Sequence, residues 1–123
     1  MIKIKIPLKF PSLNDFISAS KIQRGRWNRG YQMKEDYQQK IYYYLCKIPQ
    51  IKAPAKIHFT WIEKNKRRDL DNISSVGKKF ILDTLQICGK LKNDNLNYII
   101  GFTDDVIFEN EYGVIMEIEE VIR

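Results

Sequence analysis

Between Ala55 and Gly89 the hydrophobic period of the chain changes from two residues to 3.6, and the break between them is charged. Ile57, Phe59 and Trp61 alternate with Lys56, His58 and Thr60, the pattern of a strand over 55–62 with one buried face. Glu63 to Arg68 interrupts that alternation. Beyond it, Ile73, Val76, Phe80, Ile81, Ile87 and Cys88 fall on one side of a helical wheel, opposite Asp71, Asn72, Ser75, Lys78, Lys79, Asp83 and Gln86. Asp71 supplies a cap at the start and Gly89 a stop at the end. A strand that feeds a helix of this length restricts the chain to architectures in which helices cover a sheet.

The remaining segments build around that unit. Ile2, Ile4 and Ile6 alternate with Lys3 and Lys5 as a half-buried strand ended by Pro7. Residues 11–30 hold no sustained period. Pro11, Ser12, Asn14, Gly25 and Gly30 supply turn chemistry there, and Lys21, Arg24, Arg26 and Arg29 flank Trp27 in sequence, so the segment reads as a long basic loop; loops this long are uncommon in a compact domain, and the alternatives are a loop that closes over a substrate or a segment that contains a short helix. Tyr37, Ile41, Tyr44, Leu45 and Ile48 recur at helical spacing from Met33 to about Lys47. Tyr42, Tyr43 and Tyr44 leave that helix in different directions and divide between core and surface. Tyr98 to Phe108 and Tyr112 to Val121 read as strands joined by Glu109, Asn110 and Glu111 in an antiparallel hairpin. The expected fold class is therefore α/β of the α+β kind: a small mixed sheet of about four strands with two main helices, in the order β-α-β-α-β-β. At 123 residues it fits one domain.

Charge divides along the chain. Residues 1–68 carry 16 Lys/Arg against 4 Asp/Glu and residues 69–123 carry 5 against 11, so a first part at +12 and a second at −6 give the net +6. A basic stretch of that size is the electrostatic footprint of a phosphate-rich partner. No apolar run approaches the ~20 residues that span a bilayer, and Met1 to Ile6 alternates instead of forming a signal-peptide core. The expectation is a cytoplasmic protein with no membrane partner. Cys46 and Cys88 lack metal-ligand spacing and read as buried free thiols. His58, the sole histidine, lies on the polar face of its strand and offers no base to a Ser or Cys nucleophile.

The charged break carries the chemistry. Arg67, Arg68, Asp69, Leu70, Asp71, Asn72 sets two carboxylates one residue apart behind a basic run, and Asp94 follows after a helix-length interval. Carboxylates this close repel unless a cation lies between them. Mg²⁺ takes oxygen ligands and keeps several waters, so a few carboxylates and a substrate phosphate complete its shell. Asp69, Asp71 and Asp94 meet that requirement if the loop after the helix folds back across the sheet, and such a centre polarises a scissile phosphate and lowers the pKa of a bound water. Lys78 and Lys79 lie about two turns beyond Asp71, where an ammonium can stabilise charge on phosphate. Asp83 stands one turn further and can orient Lys79. Simpler readings exist: an exposed helix lysine for Lys79, and helix capping for the acidic pair, because Asp is favoured at a helix N-terminus. Asp104 and Asp105 read as structural strand carboxylates.

The ordered set Arg68-Asp69-x-Asp71-Asn72, Lys79 four before Asp83, Leu85, Gly89 and Asn93-Asp94 resembles the RusA family of Holliday junction resolvases, small endonucleases often carried by phages and prophages. The resemblance covers residues 67–99 closely and the rest by layout: a short first strand, Pro11-Ser12-x-Asn14, and a basic segment at about 11–30. It implies a RusA-like endonuclease domain that acts as a homodimer, nicking symmetric strands of four-way junction DNA in recombination and repair, inside a bacterial or phage-infected cell. It also implies Mg²⁺ as cofactor, with Mn²⁺ as a substitute and no small-molecule cofactor. On this resemblance Asp69, Asp71 and Asp94 are the metal-binding catalytic acids and Lys79 the catalytic lysine. Junction contacts are expected from Asn14, Lys21, Arg24, Arg26, Arg29, Lys66, Arg67, Arg68 and Lys78. Two positions depart from the family. The interval from Asp71 to the lysine is about one turn longer than in its shorter form, where the lysine would fall on Ser75, and Asn93 stands where Asp is common. The alternatives are a non-catalytic nucleic-acid-binding module whose aspartates cap a helix, and a metal-dependent nuclease acting on other branched DNA or on RNA.

Overall fold

The computed structural model describes residues 1–121. The alternating N-terminal residues form β1 (Ile2–Ile6), followed by α1 (Leu13–Ser20), a small hairpin of β2 (Gln23–Arg24) and β3 (Trp27–Asn28), and α2 (Arg29–Leu45). The change of period then produces β4 (Ala55–Glu63) and α3 (Leu70–Ile87), and β5 (Ile99–Phe108) and β6 (Gly113–Glu120) complete the chain. The mixed α/β class expected from the sequence is the class observed: four strands make one mixed sheet in the order β1-β6-β4-β5.

Two elements differ from expectation. Residues 11–30 are not a loop. Ser12 and Asp15 form a reciprocal capping box that starts α1, and Phe16 and Ala19 turn inward, with the Phe16 ring 5.5 Å from that of Phe80. The turn-forming residues around Gly25 close the β2–β3 hairpin instead of leaving the segment irregular.

Nor do β5 and β6 form a hairpin. β4 lies between them, parallel to β5 and antiparallel to β6. α3 returns the chain to the start of β4, which makes β5 parallel, as a crossover helix requires. Residues 109–112 then step across the end of β4, where the Glu109 N–H donates to the Glu63 carbonyl at 3.0 Å. Two strand spacings of about 4.8 Å are within easy reach of four residues.

One face of the sheet is covered and the other is open. Ile57, Phe59 and Trp61 of β4 point to the helical side with Ile118, Met116 and Val114 of β6 and with Ile2, Ile4 and Ile6 of β1, their register partners. α3 closes this core with Ile73, Val76, Phe80, Ile81 and Leu85, and α2 adds Ile41 and Leu45. Gly77 permits that closure, since an added Cβ would stand 2.7 Å from the Trp61 ring. The open face carries Lys56, His58, Glu117 and Glu119. There His58 is satisfied by the Thr103 hydroxyl, with Nε2 3.2 Å from the Asp105 carboxylate.

α3 ends as its sequence dictates. Gly89 takes φ +72, and the Lys90 N–H reaches back to the Leu85 carbonyl at 2.9 Å. The cysteines are free, as expected, but not buried: Cys46 follows the exposed end of α2 and is itself exposed, and Cys88 is half-buried. Of the three tyrosines, Tyr44 packs on the core while Tyr42 and Tyr43 stand out in solvent. Among the described residues, no helix is long and apolar enough to cross a membrane.

Candidate metal and nucleic-acid site

The charged break folds into a clamp. Glu63, the last residue of β4, is buried, and Arg68 meets it in a two-pronged ion pair with both bonds at 2.8 Å. A further Arg68 nitrogen donates to the Phe10 carbonyl at 2.6 Å. The hydrogen bond to Glu63 holds the Arg68 pKa above its usual value, so this cation stays charged inside the protein. Arg68 therefore fixes the turn between β4 and α3 and is not free to hold phosphate, contrary to the sequence expectation. Its neighbour Arg67 is exposed, as is Lys66, whose Nζ lies 5.8 Å from the centre of the Phe108 ring.

This clamp delivers the acidic pair to the first turn of α3. Asp69, not Asp71, is the N-cap, with extended backbone at φ −85 and ψ 147, yet its side chain makes no capping bond. Asp71 bonds only to the N–H of the adjacent Asn72, at 3.0 Å. Both residues are exposed. The helix dipole favours negative charge here, so α3 lowers the cost of holding two carboxylates in its first turn, with one Asp71 oxygen engaged by the Asn72 N–H and Asp69 making no capping bond.

Asp94 lies elsewhere in the same chain. β4 and β5 are parallel, with Ala55 opposite Ile99 and Glu63 opposite Phe108. Asp69 follows the end of β4 and Asp94 precedes the start of β5, so α3 separates them, and its 18 residues span about 27 Å. The folding back of the 88–98 loop toward Asp71, anticipated from sequence, does not occur. That loop is held at the start of the sheet instead: the Lys90 carbonyl accepts from the Ile51 N–H at 2.8 Å. Asn93 turns the chain by accepting from the Asp94 and Asn95 N–H groups at 2.7 and 3.1 Å, leaving the Asp94 side chain exposed. Among the described residues, no three His, Cys, Asp or Glu side chains come together closely enough to hold a metal ion. One chain thus presents two exposed carboxylates at one end of α3 and a third at the other.

The lysines divide in an order the sequence does not reveal. Lys78 bonds to Asp104 at 2.8 Å, which also accepts from the Trp61 indole at 2.9 Å, and its ammonium lies 4.9 Å from the Phe102 ring centre. It is an internal tie between α3 and β5 and is not a phosphate contact. Asp83 pairs with Lys34 of α2 at 2.8 Å and does not orient Lys79. Lys79 is exposed, about 12 Å along the helix axis from Asp71.

The residues expected to contact DNA, Asn14, Lys21, Arg24, Arg26 and Arg29, are all exposed, on α1, its C-cap, the hairpin and the first turn of α2. Two further cations join Lys66 and Arg67. Lys9 and Lys64 stand over the Tyr112 ring at 4.6 and 5.4 Å from its centre. Lys64 was legible from its place in the charged break, whereas nothing in the local sequence ties Lys9 to it. The chain matches no protein-family model and no curated protein.

Proposed function

We propose that this chain is a Mg²⁺-dependent endonuclease of branched DNA, with the four-way junction as its substrate, acting as a homodimer in the cytoplasm. The observation that carries the reading is the acidic pair itself. A helix N-cap aspartate that caps nothing, beside a second exposed carboxylate and behind a buried Arg68–Glu63 clamp, has the composition of half a cation site. Capping, the simpler explanation of the pair, loses its support at Asp69.

Mg²⁺ fits this donor set, since carboxylates, waters and a substrate phosphate are its usual ligands. Asp69 and Asp71 would hold it from one copy and Asp94 from the other. The geometry that favours this division is the outer edge of β5, which among the described residues has no strand beside it. Antiparallel pairing of two β5 edges sets the start of one strand beside the end of the other, and so carries Asp94 of each copy toward Asp69 and Asp71 of its neighbour. Asp71 shares the azimuth of Lys78, seven residues on, and Lys78 faces β5, so Asp71 is on the side from which the second copy arrives. The bound ion supplies Lewis acidity and an acidified water for phosphodiester hydrolysis. Arg67, Lys66, Lys64 and Lys9 would draw the phosphate backbone to the rim, and Asp69 and Asp71 would hold the ion there.

A synthetic four-way junction incubated with and without Mg²⁺ tests the reading. Nicking that requires the metal and vanishes in Asp69→Asn and Asp71→Asn, with junction binding retained, is expected. Binding without metal-dependent nicking would leave only the nucleic-acid-binding module.

A further inference from the structure

The β2–β3 hairpin has no core of its own. It consists of two residue pairs, Gln23 with Asn28 and Arg24 with Trp27, and a hairpin of that size does not persist unaided in water. Polar groups hold it. The Asn28 amide donates to the Ser20 carbonyl at 3.0 Å and to the Gln23 side chain at 2.8 Å, while its oxygen accepts from the Tyr31 N–H at 3.1 Å. Gln23 in turn donates to the Gly25 carbonyl at 2.8 Å, and Gly25 takes φ +60, which the tight turn requires of a residue without Cβ. Behind the hairpin α1 and α2 touch so closely that a Cβ on Gly30 would lie 2.3 Å from the Ser20 hydroxyl.

This clasp fixes an aromatic ring that the fold does not use. Trp27 is 40% exposed, whereas Trp61 is 1% exposed. Among the described residues, no aromatic pair and no cation–ring contact involves Trp27. Arg24 is its register partner, and Lys21, Arg26 and Arg29 flank it in sequence without one acidic residue from 21 to 29. An open groove of about 440 Å³ runs from Ile22 and Arg29 at the base of the hairpin to Lys9 and Phe10, and the Phe10 carbonyl holds the guanidinium of Arg68, next in sequence to Asp69.

We infer that Trp27 is a stacking residue for a base displaced from the duplex at a DNA branch, with the hairpin cations on the flanking phosphates and the groove leading that strand toward the acidic pair. Bases within a continuous duplex are covered by their neighbours, and a branch point exposes the faces an indole needs. Stacking of this kind is sequence-tolerant and steepens with a cationic surround. Trp27 thereby discriminates branched from linear DNA. The inference rests on the nucleic-acid reading above, but not on catalysis.

The test is equilibrium binding in EDTA, where no cleavage occurs, to a four-way junction carrying 2-aminopurine at the branch and to a linear duplex of the same length. Exposed Trp27 dominates the change in intrinsic fluorescence, because Trp61 is buried. The junction is expected to quench it. Trp27→Ala is expected to weaken junction binding by about tenfold to a hundredfold, to leave duplex binding within about twofold, and to abolish the 2-aminopurine response, while Trp27→Tyr restores most of the junction binding and of the 2-aminopurine response. Thermal unfolding of each variant checks that the fold is intact. Equal junction binding by wild type and Trp27→Ala, or equal losses on junction and duplex, overturns the inference even if Mg²⁺-dependent nicking persists. Trp27-dependent junction binding without nicking by any form sustains it and removes the nuclease reading instead.

Discussion

Arg67 and Arg68 are adjacent and chemically identical, and the fold gives them opposite tasks. Arg68 neutralises buried Glu63, so Arg68→Ala leaves a carboxylate stranded, at a cost of about 3–5 kcal/mol, read as a lowered denaturation midpoint. Arg67→Ala should leave that midpoint unchanged and weaken DNA binding instead. Equal stability losses in the two variants would contradict the assignment. The same logic separates the aspartates from a helix cap: Asp69→Asn removes charge but no capping bond, so it should abolish nicking with little loss of stability. Tyr37 supplies a pH-dependent check. Its phenol donates to the Lys9 carbonyl at 2.9 Å, and burial raises its pKa above 10.0. The folded state therefore prefers the protonated phenol; this contribution is fully present below the ordinary tyrosine value and is lost as pH rises through the higher folded value. Ultraviolet titration of wild type against Tyr37→Phe should place the absorbance change that Tyr37 contributes above the ordinary tyrosine value, and a difference centred at or below that value would contradict it. The sequence made the acidic pair visible because composition and spacing reveal ligand chemistry. It could not separate Arg67 from Arg68, since that depends on Glu63 being turned inward at the end of β4.

At the scale of elements, strong periodicity was enough for β1, α2, β4 and α3. It failed where the decisive contact is remote. The alternation in β5 and β6 is the same whether the strands pair with each other or on either side of β4, and only the α3 crossover decides between them. In the segment 11–30 Ser12 and Asp15 have the spacing of a capping pair, but the 8 residues of α1 make only about two turns, too short a run for a period to emerge. α3 packs on the sheet through Ile73, Val76, Phe80, Ile81 and Leu85, and its backbone comes close to β4 at Gly77. Gly77→Ala forces its methyl against the Trp61 ring and should cost about 1–3 kcal/mol, although alanine is the better helix former. A thermal unfolding midpoint equal to or above wild type would show that α3 can lift from the sheet without penalty.

For the whole molecule, the separation of charge in sequence becomes a separation in space only in part. The cations of the charged break directly precede the acidic pair in the turn between β4 and α3, while Asp94 is held at the far end of α3 by the topology that makes β5 parallel. A single chain therefore divides the three carboxylates, and the central claim is that two copies reunite them. Binding should be strongly salt-dependent, since several lysines and arginines displace counterions together. The most direct measurement mixes two inactive variants, Asp71→Asn and Asp94→Asn, after co-refolding, and follows Mg²⁺-dependent nicking of a four-way junction. If each site draws Asp71 from one copy and Asp94 from the other, every mixed dimer regains one intact site. With half the dimers mixed at random, activity should recover to about a quarter of wild type. A wild-type chain that nicks while the mixture stays as inactive as its components, or a wild-type chain that never nicks, would contradict the account.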